Sequence, residues 1–169
     1  MSEFDAKEVK NELVQWIKNW FKENGNECCA VVGISGGKDS SVVAALCVEA
    51  LGKDKVFGVL MPNGEQVDID ASYKLVNHLG IEYCTINIHS AIRALKHEIK
   101  PQLGDHWSVQ TSVNLPARIR MAALYFFAQC NNGIPSCNCN LSEEWIGYAT
   151  YGGAGFGSFA PIENLTVRE

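Results

Sequence analysis

Three short apolar runs, at 28–34, 56–61 and 81–88, alternate along the chain with stretches whose apolar residues recur every three or four positions. Continuous apolar runs suit strands buried on both faces, and strand-helix-strand order forces parallel pairing through right-handed crossovers. The expected fold is therefore α/β: a doubly wound parallel sheet with helices on both faces. A first helix is expected over 5–24, where Val9, Leu13, Trp16, Ile17, Trp20 and Phe21 share a face and Gly25 stops it. Asp39 opens a second helix that runs to Leu51 and ends at Gly52, and a third over 68–79 stops at Gly80. Beyond it the pattern predicts a helix over 90–99 and a loop over 100–110. An apolar helix over 117–129, entered through Asn114 and Pro116, reads as core. The apolar run in 133–137 is too short for a buried strand. Asn140-Leu141-Ser142-Glu143 has the spacing of a capping box before a short helix, and 151–158, with four glycines, reads as a mobile loop.

At 169 residues and 47% hydrophobic, the chain is sized for one domain, 1–169, with a substantial core. Fourteen basic against 19 acidic residues leave a net charge of -5, which argues against nucleic acid or an anionic membrane as partner. Small molecules or copies of itself remain. No apolar run approaches the roughly 18 residues of a membrane span, and the first residues are amphipathic rather than secretory, so a cytoplasmic location is expected. The 7 cysteines are odd in number and sit mostly in apolar runs, which speaks against a disulfide framework. Cys137 and Cys139, with no His nearby, read as loop cysteines rather than a zinc site.

In open α/β sheets ligands bind beyond the carboxyl ends of the strands, which directs attention to Gly33-Ile34-Ser35-Gly36-Gly37-Lys38-Asp39-Ser40. Two glycines let backbone N–H groups turn toward an oxygen cluster, a helix N-terminus adds positive potential, and Ser35, Lys38, Ser40 and Ser41 supply donors. The segment suits a phosphate. It is not a Walker A loop, since that pattern would need glycine at Val32 and a hydroxyl at Asp39. An acid within a phosphate loop calls for a cation between them, so Asp39 points to Mg²⁺ on a pyrophosphate. The plainer alternative is that Asp39 only caps its helix.

Ser35-Gly36-Gly37-Lys38-Asp39-Ser40 resembles the pyrophosphate loop of the ATP pyrophosphatases, whose fold is of the adenine nucleotide alpha-hydrolase type. Four further motifs, in order, narrow the resemblance to the NAD⁺ synthetases: Met61-Pro-Asn-Gly-Glu-Gln66 with Asp68 and Asp70, Asn114-Leu-Pro-Ala-Arg-Ile-Arg-Met121, Asn140-Leu-Ser-Glu143 and Gly147-Tyr-Ala-Thr150. The resemblance implies ATP on Gly33 to Ser40, with Lys38 and Asp39 catalytic. It implies Mg²⁺ on Asp39 and Glu143, and deamido-NAD⁺ on Arg118 and on the loop carrying Tyr151 and Ser158. Glu143 as a mere capping-box partner and Arg118 as a solvated helix residue are the structural alternatives. Arg120, two positions on, cannot share the face of Arg118.

The chain departs from the family where the substrate binds: Tyr151 stands for a lysine, Ser158 for an aspartate, Val167 for an ATP-contacting lysine and Asn138 for a threonine. The family's C-terminal segment is not in the sequence. The resemblance implies ATP-dependent amidation of deamido-NAD⁺ through an acyl adenylate, releasing AMP and pyrophosphate. With no glutaminase domain in the sequence, ammonia is the expected nitrogen donor. A homodimer is expected from the same resemblance. A non-catalytic nucleotide-binding relative and another ligase of the ATP pyrophosphatase type are the competing readings.

Overall fold

The computed structural model describes residues 4–104 and 106–169. Helix α1 (Ala6–Asn24) starts where the Asp5 carboxylate accepts from the N–H groups of Lys7 and Glu8, and it buries Val14, Ile17 and Phe21. Strand β1 (Cys29–Ile34) follows, then α2 (Lys38–Leu51), β2 (Val56–Leu60), α3 (Ile69–Leu79) and β3 (Glu82–Thr85). These match the sequence pattern to within a few residues, the edge strand β3 being the most shortened. After β3 come α4 (His89–Leu103), α5 (Val109–Cys130), β4 (Gly133–Pro135) and α6 (Leu141–Trp145). Asn140 and Glu143 form the capping box in full, Asn140 Oδ1 accepting from Glu143 N at 3.2 Å and Glu143 Oε2 from Asn140 N at 3.1 Å.

All pairings are parallel, in the order β3-β2-β1-β4, so the chain winds outward from β1 in one direction and then returns to its other side. That reversal leaves a crevice beyond the carboxyl end of β1, where ligands bind in such sheets. Side chains alternate across β1: Ala30, Val32 and Ile34 meet α1, α2 and α3 on one face, and Val31 meets Met121, Leu124 and Ala128 of α5 on the other. Helices thus cover both faces, as expected. Among the described residues no helix is long and apolar enough to cross a membrane.

Three local expectations fail. Residues 100–103 continue α4, with Pro101 inside the helix, where a loop was expected; Asp105 of that expected loop lies outside the described residues. Helix α5 begins at Val109, because the Ser108 hydroxyl accepts from Thr111 N, and Pro116 therefore sits within the helix and not in its first turn. Its inward face is core as expected, with Met121, Leu124 and Ala128 buried, while Phe126 and the added first turns at Val109 and Val113 are exposed. A strand does form at 133–135, since backbone pairing with β1 needs no apolar run; Ser136 N donates to Val31 O at 2.9 Å. Gly133 permits the approach, because a Cβ there would come to 2.5 Å from Val31 Cγ2, and Pro135 is tolerated at a sheet edge.

Candidate functional site

Between β1 and α2 the chain turns at Gly36, whose φ of +81° is a left-handed conformation costly to other residues. A Cβ there would also crowd Ser72 Oγ and Ala71 Cβ at 3.1 Å. The turn is held by hydroxyls: Gly37 N donates to Ser35 Oγ, Ser35 Oγ and Ser40 Oγ lie 3.0 Å apart, and Ser40 and Ser41 both donate to Gly37 O. The N-cap of α2 is Gly37, which has no side chain to offer the first-turn N–H groups, so they are left for a ligand. Asp39 lies two residues further in, within the first turn, and is not the cap. Its Oδ1 is 2.6 Å from Lys38 Nζ, an ion pair at the lip of the loop.

A cavity of about 530 Å³ opens against this turn. Gly33, Ile34, Ser35, Gly37, Asp39 and Ser40 line it from the loop, and Glu143 lines it from α6. The two acids thus share one cavity although more than a hundred residues separate them. Glu143 does so while serving its capping box, so its structural and functional readings are compatible. Two carboxylates beside a phosphate loop are the oxygen donors that Mg²⁺ takes when it keeps water and substrate phosphates as its other ligands. Among the described residues no group of three or more His, Cys, Asp or Glu could hold a metal.

Several expected site residues lie elsewhere. Gly36 and Lys38 are not on the cavity wall. The Arg118 guanidinium, exposed, donates from Nε to Tyr151 O at 3.0 Å, and the Tyr151 ring leans edge-on against Phe156. Ser158 bonds the Tyr125 hydroxyl at 3.1 Å and lines a smaller, separate pocket. The glycine-rich stretch is pinned as well, Tyr125 donating to Phe156 O and Ser158 N to Pro135 O. Thr150 Oγ1 donates to Asn114 Oδ1, so two of the sequence motifs meet here.

Arg120, set aside in the sequence, lines the cavity. Its Nε donates to Met61 O at 2.9 Å, fixing the guanidinium between α5 and the loop after β2, and burial lowers its pKa. The signal was available: Ala117, Arg120, Met121 and Leu124 all line the cavity at helical spacing, and Arg118 falls off that face. Asn63, Glu65 and Gln66, from the loop after β2, also line it. Asn138 completes the floor, donating from Nδ2 to Gly33 O at 2.9 Å.

A family model described as NAD synthase matches residues 9–169. The NH(3)-dependent NAD(+) synthetase of Methanocaldococcus jannaschii is 37% identical over 164 residues, covering 96% of this chain and 62% of that protein. The chain therefore spans less than two thirds of that relative's length. The structure of an NH3-dependent NAD synthetase from Campylobacter jejuni, in complex with nitrate ion, superposes with a TM-score of 0.88 at 30% identity, covering 99% of this chain and 71% of that one. An NMN synthetase from Francisella tularensis superposes with a TM-score of 0.87 at 30% identity, covering 98% and 68%.

Proposed function

The chain belongs to the NAD synthase family, and from that premise we propose that it amidates deamido-NAD⁺ to NAD⁺ at the expense of ATP, with ammonia as nitrogen donor and Mg²⁺ as cofactor. The observation that carries the reading is the meeting of Asp39 and Glu143 on one cavity beside the phosphate loop. A carboxylate is a poor electrophile, so the nicotinate carboxylate attacks the α-phosphorus of ATP, giving an acyl adenylate and pyrophosphate. The α2 N-terminus and the loop N–H groups hold the negative charge that builds on the departing pyrophosphate, which Lys38 would join by leaving its pair with Asp39. Mg²⁺ on Asp39 and Glu143 would add charge neutralisation on the same phosphates. Arg120 orients an anionic group against α5, and the apolar wall of Met121 and Leu124 excludes water that would hydrolyse the adenylate. Ammonia then attacks the activated carbonyl and expels AMP, and the protein supplies no covalent nucleophile.

The test is NAD⁺ formation from ATP, Mg²⁺, deamido-NAD⁺ and ammonium, with pyrophosphate released only when the dinucleotide is present; glutamine gives no product. A second reading, a nucleotide-binding protein without ligase activity, draws on Tyr151 and Ser158, which turn to Phe156 and Tyr125 and away from the cavity. ATP binding with no dinucleotide-dependent pyrophosphate release would decide for it. We further propose a cytoplasmic homodimer of single-domain chains, as the family resemblance implies; a monomer in sedimentation would exclude it.

A further inference from the structure

The pairing of β2 with β3 does not stop where the strands end. Ile86 N donates to Leu60 O at 2.8 Å and Ile88 N to Pro62 O at 2.9 Å, two further rungs of the parallel ladder. At Gly64, with a φ of +79°, the loop after β2 leaves strand geometry, and a side chain takes over the pairing. Gly64 N donates to Asn87 Oδ1 at 3.0 Å, and Asn87 Nδ2 donates to Gly64 O at 3.1 Å. A primary amide carries a carbonyl acceptor and N–H donors in one plane, so Asn87 stands in for the peptide group of a next rung. Its Oδ1 also accepts from His89 N at 3.0 Å, and His89 Nδ1 lies 3.2 Å from Asn63 Oδ1. Among the described residues, every hydrogen bond that residues 63–65 make goes to Asn87 or His89. Asn63, Glu65 and Gln66 line the large cavity, and Asn87 does not. The near end of the same loop is tied from within the cavity, by Arg120 Nε on Met61 O.

We propose that Asn87 is a positioning residue that holds the 63–66 wall in the shape a bound nucleotide requires, acting through Gly64 and touching no ligand itself, a role that rests on the reading of this cavity as the ATP site. With the phosphates on the turn at 35–40, the rest of the nucleotide occupies the remaining cavity, and this loop is one of its walls. Apparent affinity scales with the fraction of molecules whose wall is already in place. One hydrogen bond of ordinary strength shifts such a fraction by about 3- to 10-fold. The rival role is capping: Asn87 Oδ1 on His89 N is an Asx turn that leads into α4. A residue that only caps is replaceable by Ser or Asp.

The test compares wild type, Asn87→Ser and Asn87→Asp by thermal melting, by amide hydrogen exchange in NMR and by titration with Mg²⁺-ATP. Serine caps without charge but is too short to bond both groups of Gly64; aspartate caps and keeps the acceptor for Gly64 N, but sets an oxygen against Gly64 O. Both variants should melt within about 4 °C of wild type and bind ATP about 3- to 10-fold more weakly, with faster exchange of the Gly64 amide in Asn87→Ser. In pyrophosphate release the loss should fall on KM for ATP, with kcat within about twofold, because Asn87 does not touch the turn that holds the reacting phosphate. Wild-type ATP affinity in Asn87→Ser would overturn the proposal, as would a lowered kcat at unchanged KM. In the wild type alone, the Gly64 amide should exchange more slowly than that of Glu65, which has no acceptor among the described residues. Equal rates would overturn the proposal whether or not the variants fold. Weakened ATP binding in Asn87→Ser, beside a wild type that releases no pyrophosphate, would leave the clamp standing and remove the ligase reading alone; a wild type that binds no ATP would remove both.

Discussion

Glu143 serves two roles that substitution can separate. Its carboxylate accepts from Asn140 N at 3.1 Å, and Asn140 is 3% exposed, so that N–H has little water to turn to. Glu143→Ala removes the bond and strands the donor, a loss of about 2–3 kcal/mol. At roughly 2–4 °C per kcal/mol for a chain of this size, Tm should fall by about 5–10 °C. Glu143→Gln keeps an acceptor oxygen and loses only the charge near the start of α6, about 0.3–1 kcal/mol, so Tm should move by no more than about 4 °C. Cation binding orders the variants differently. Two unit charges 4 Å apart interact by about 4 kcal/mol at an effective dielectric near 20; water replaces part of this, but losing a third of it is already about tenfold in affinity. Both variants should therefore bind Mg²⁺-ATP at least ~10-fold more weakly in calorimetry, while ATP without Mg²⁺, freed of the repulsion from the carboxylate, binds them at least as tightly as wild type. Wild-type Mg²⁺-ATP affinity in Glu143→Gln, alongside a destabilised Glu143→Ala, would leave Glu143 a cap and remove it from the site.

Asp39→Asn should shift Tm by no more than about 4 °C, since Gly37 is the cap of α2, yet weaken Mg²⁺-ATP by a similar factor to Glu143→Gln; an unaltered calorimetric affinity would refute this. Titration with a fluorescent ATP analogue should show weaker binding in Arg120→Ala and about wild-type binding in Arg118→Ala, because only Arg120 lines the cavity; the reverse order would overturn that assignment. A Cβ in Gly157→Ala would overlap the backbone N of Cys137 and the carbonyl of Ser136, so a loss of about 3 kcal/mol or more is expected by thermal melting, and a Tm within error of wild type would contradict the packing. A buried, protonated thiol is a poor nucleophile, so iodoacetamide at pH 6 and at pH 8 should label exposed Cys130 first. Cys47, pushed up to about 12 by burial, should stay unlabelled in the native chain at both pH values.

The sheet, its parallel pairing and its covering helices were legible because continuous apolar runs and three- to four-residue periodicity report burial directly, and burial is what α1, β1, α2, β2 and α3 share. The glycine-serine turn after β1 and the capping box were legible for a different reason: both are local, made by residues within a few positions of each other. What the sequence left open is what backbone pairing and side-chain direction decide. Strand β4 is held by hydrogen bonds to β1 and by the missing Cβ of Gly133, neither of which leaves an apolar run to read. The start of α5 depends on a single hydroxyl, Ser108, and the end of α4 runs through a proline that ordinary pattern reading takes as a stop. Arg118 and Arg120 look interchangeable in the string, but about 100° of helix rotation per residue puts one at the surface with Tyr151 and the other in the cavity with Met61. Asp39 and Glu143 each carried a local motif, and only the return of the chain to the far side of β1 brought the two carboxylates to one cavity, because that pairing is set by the topology of the sheet and not by any spacing along the chain.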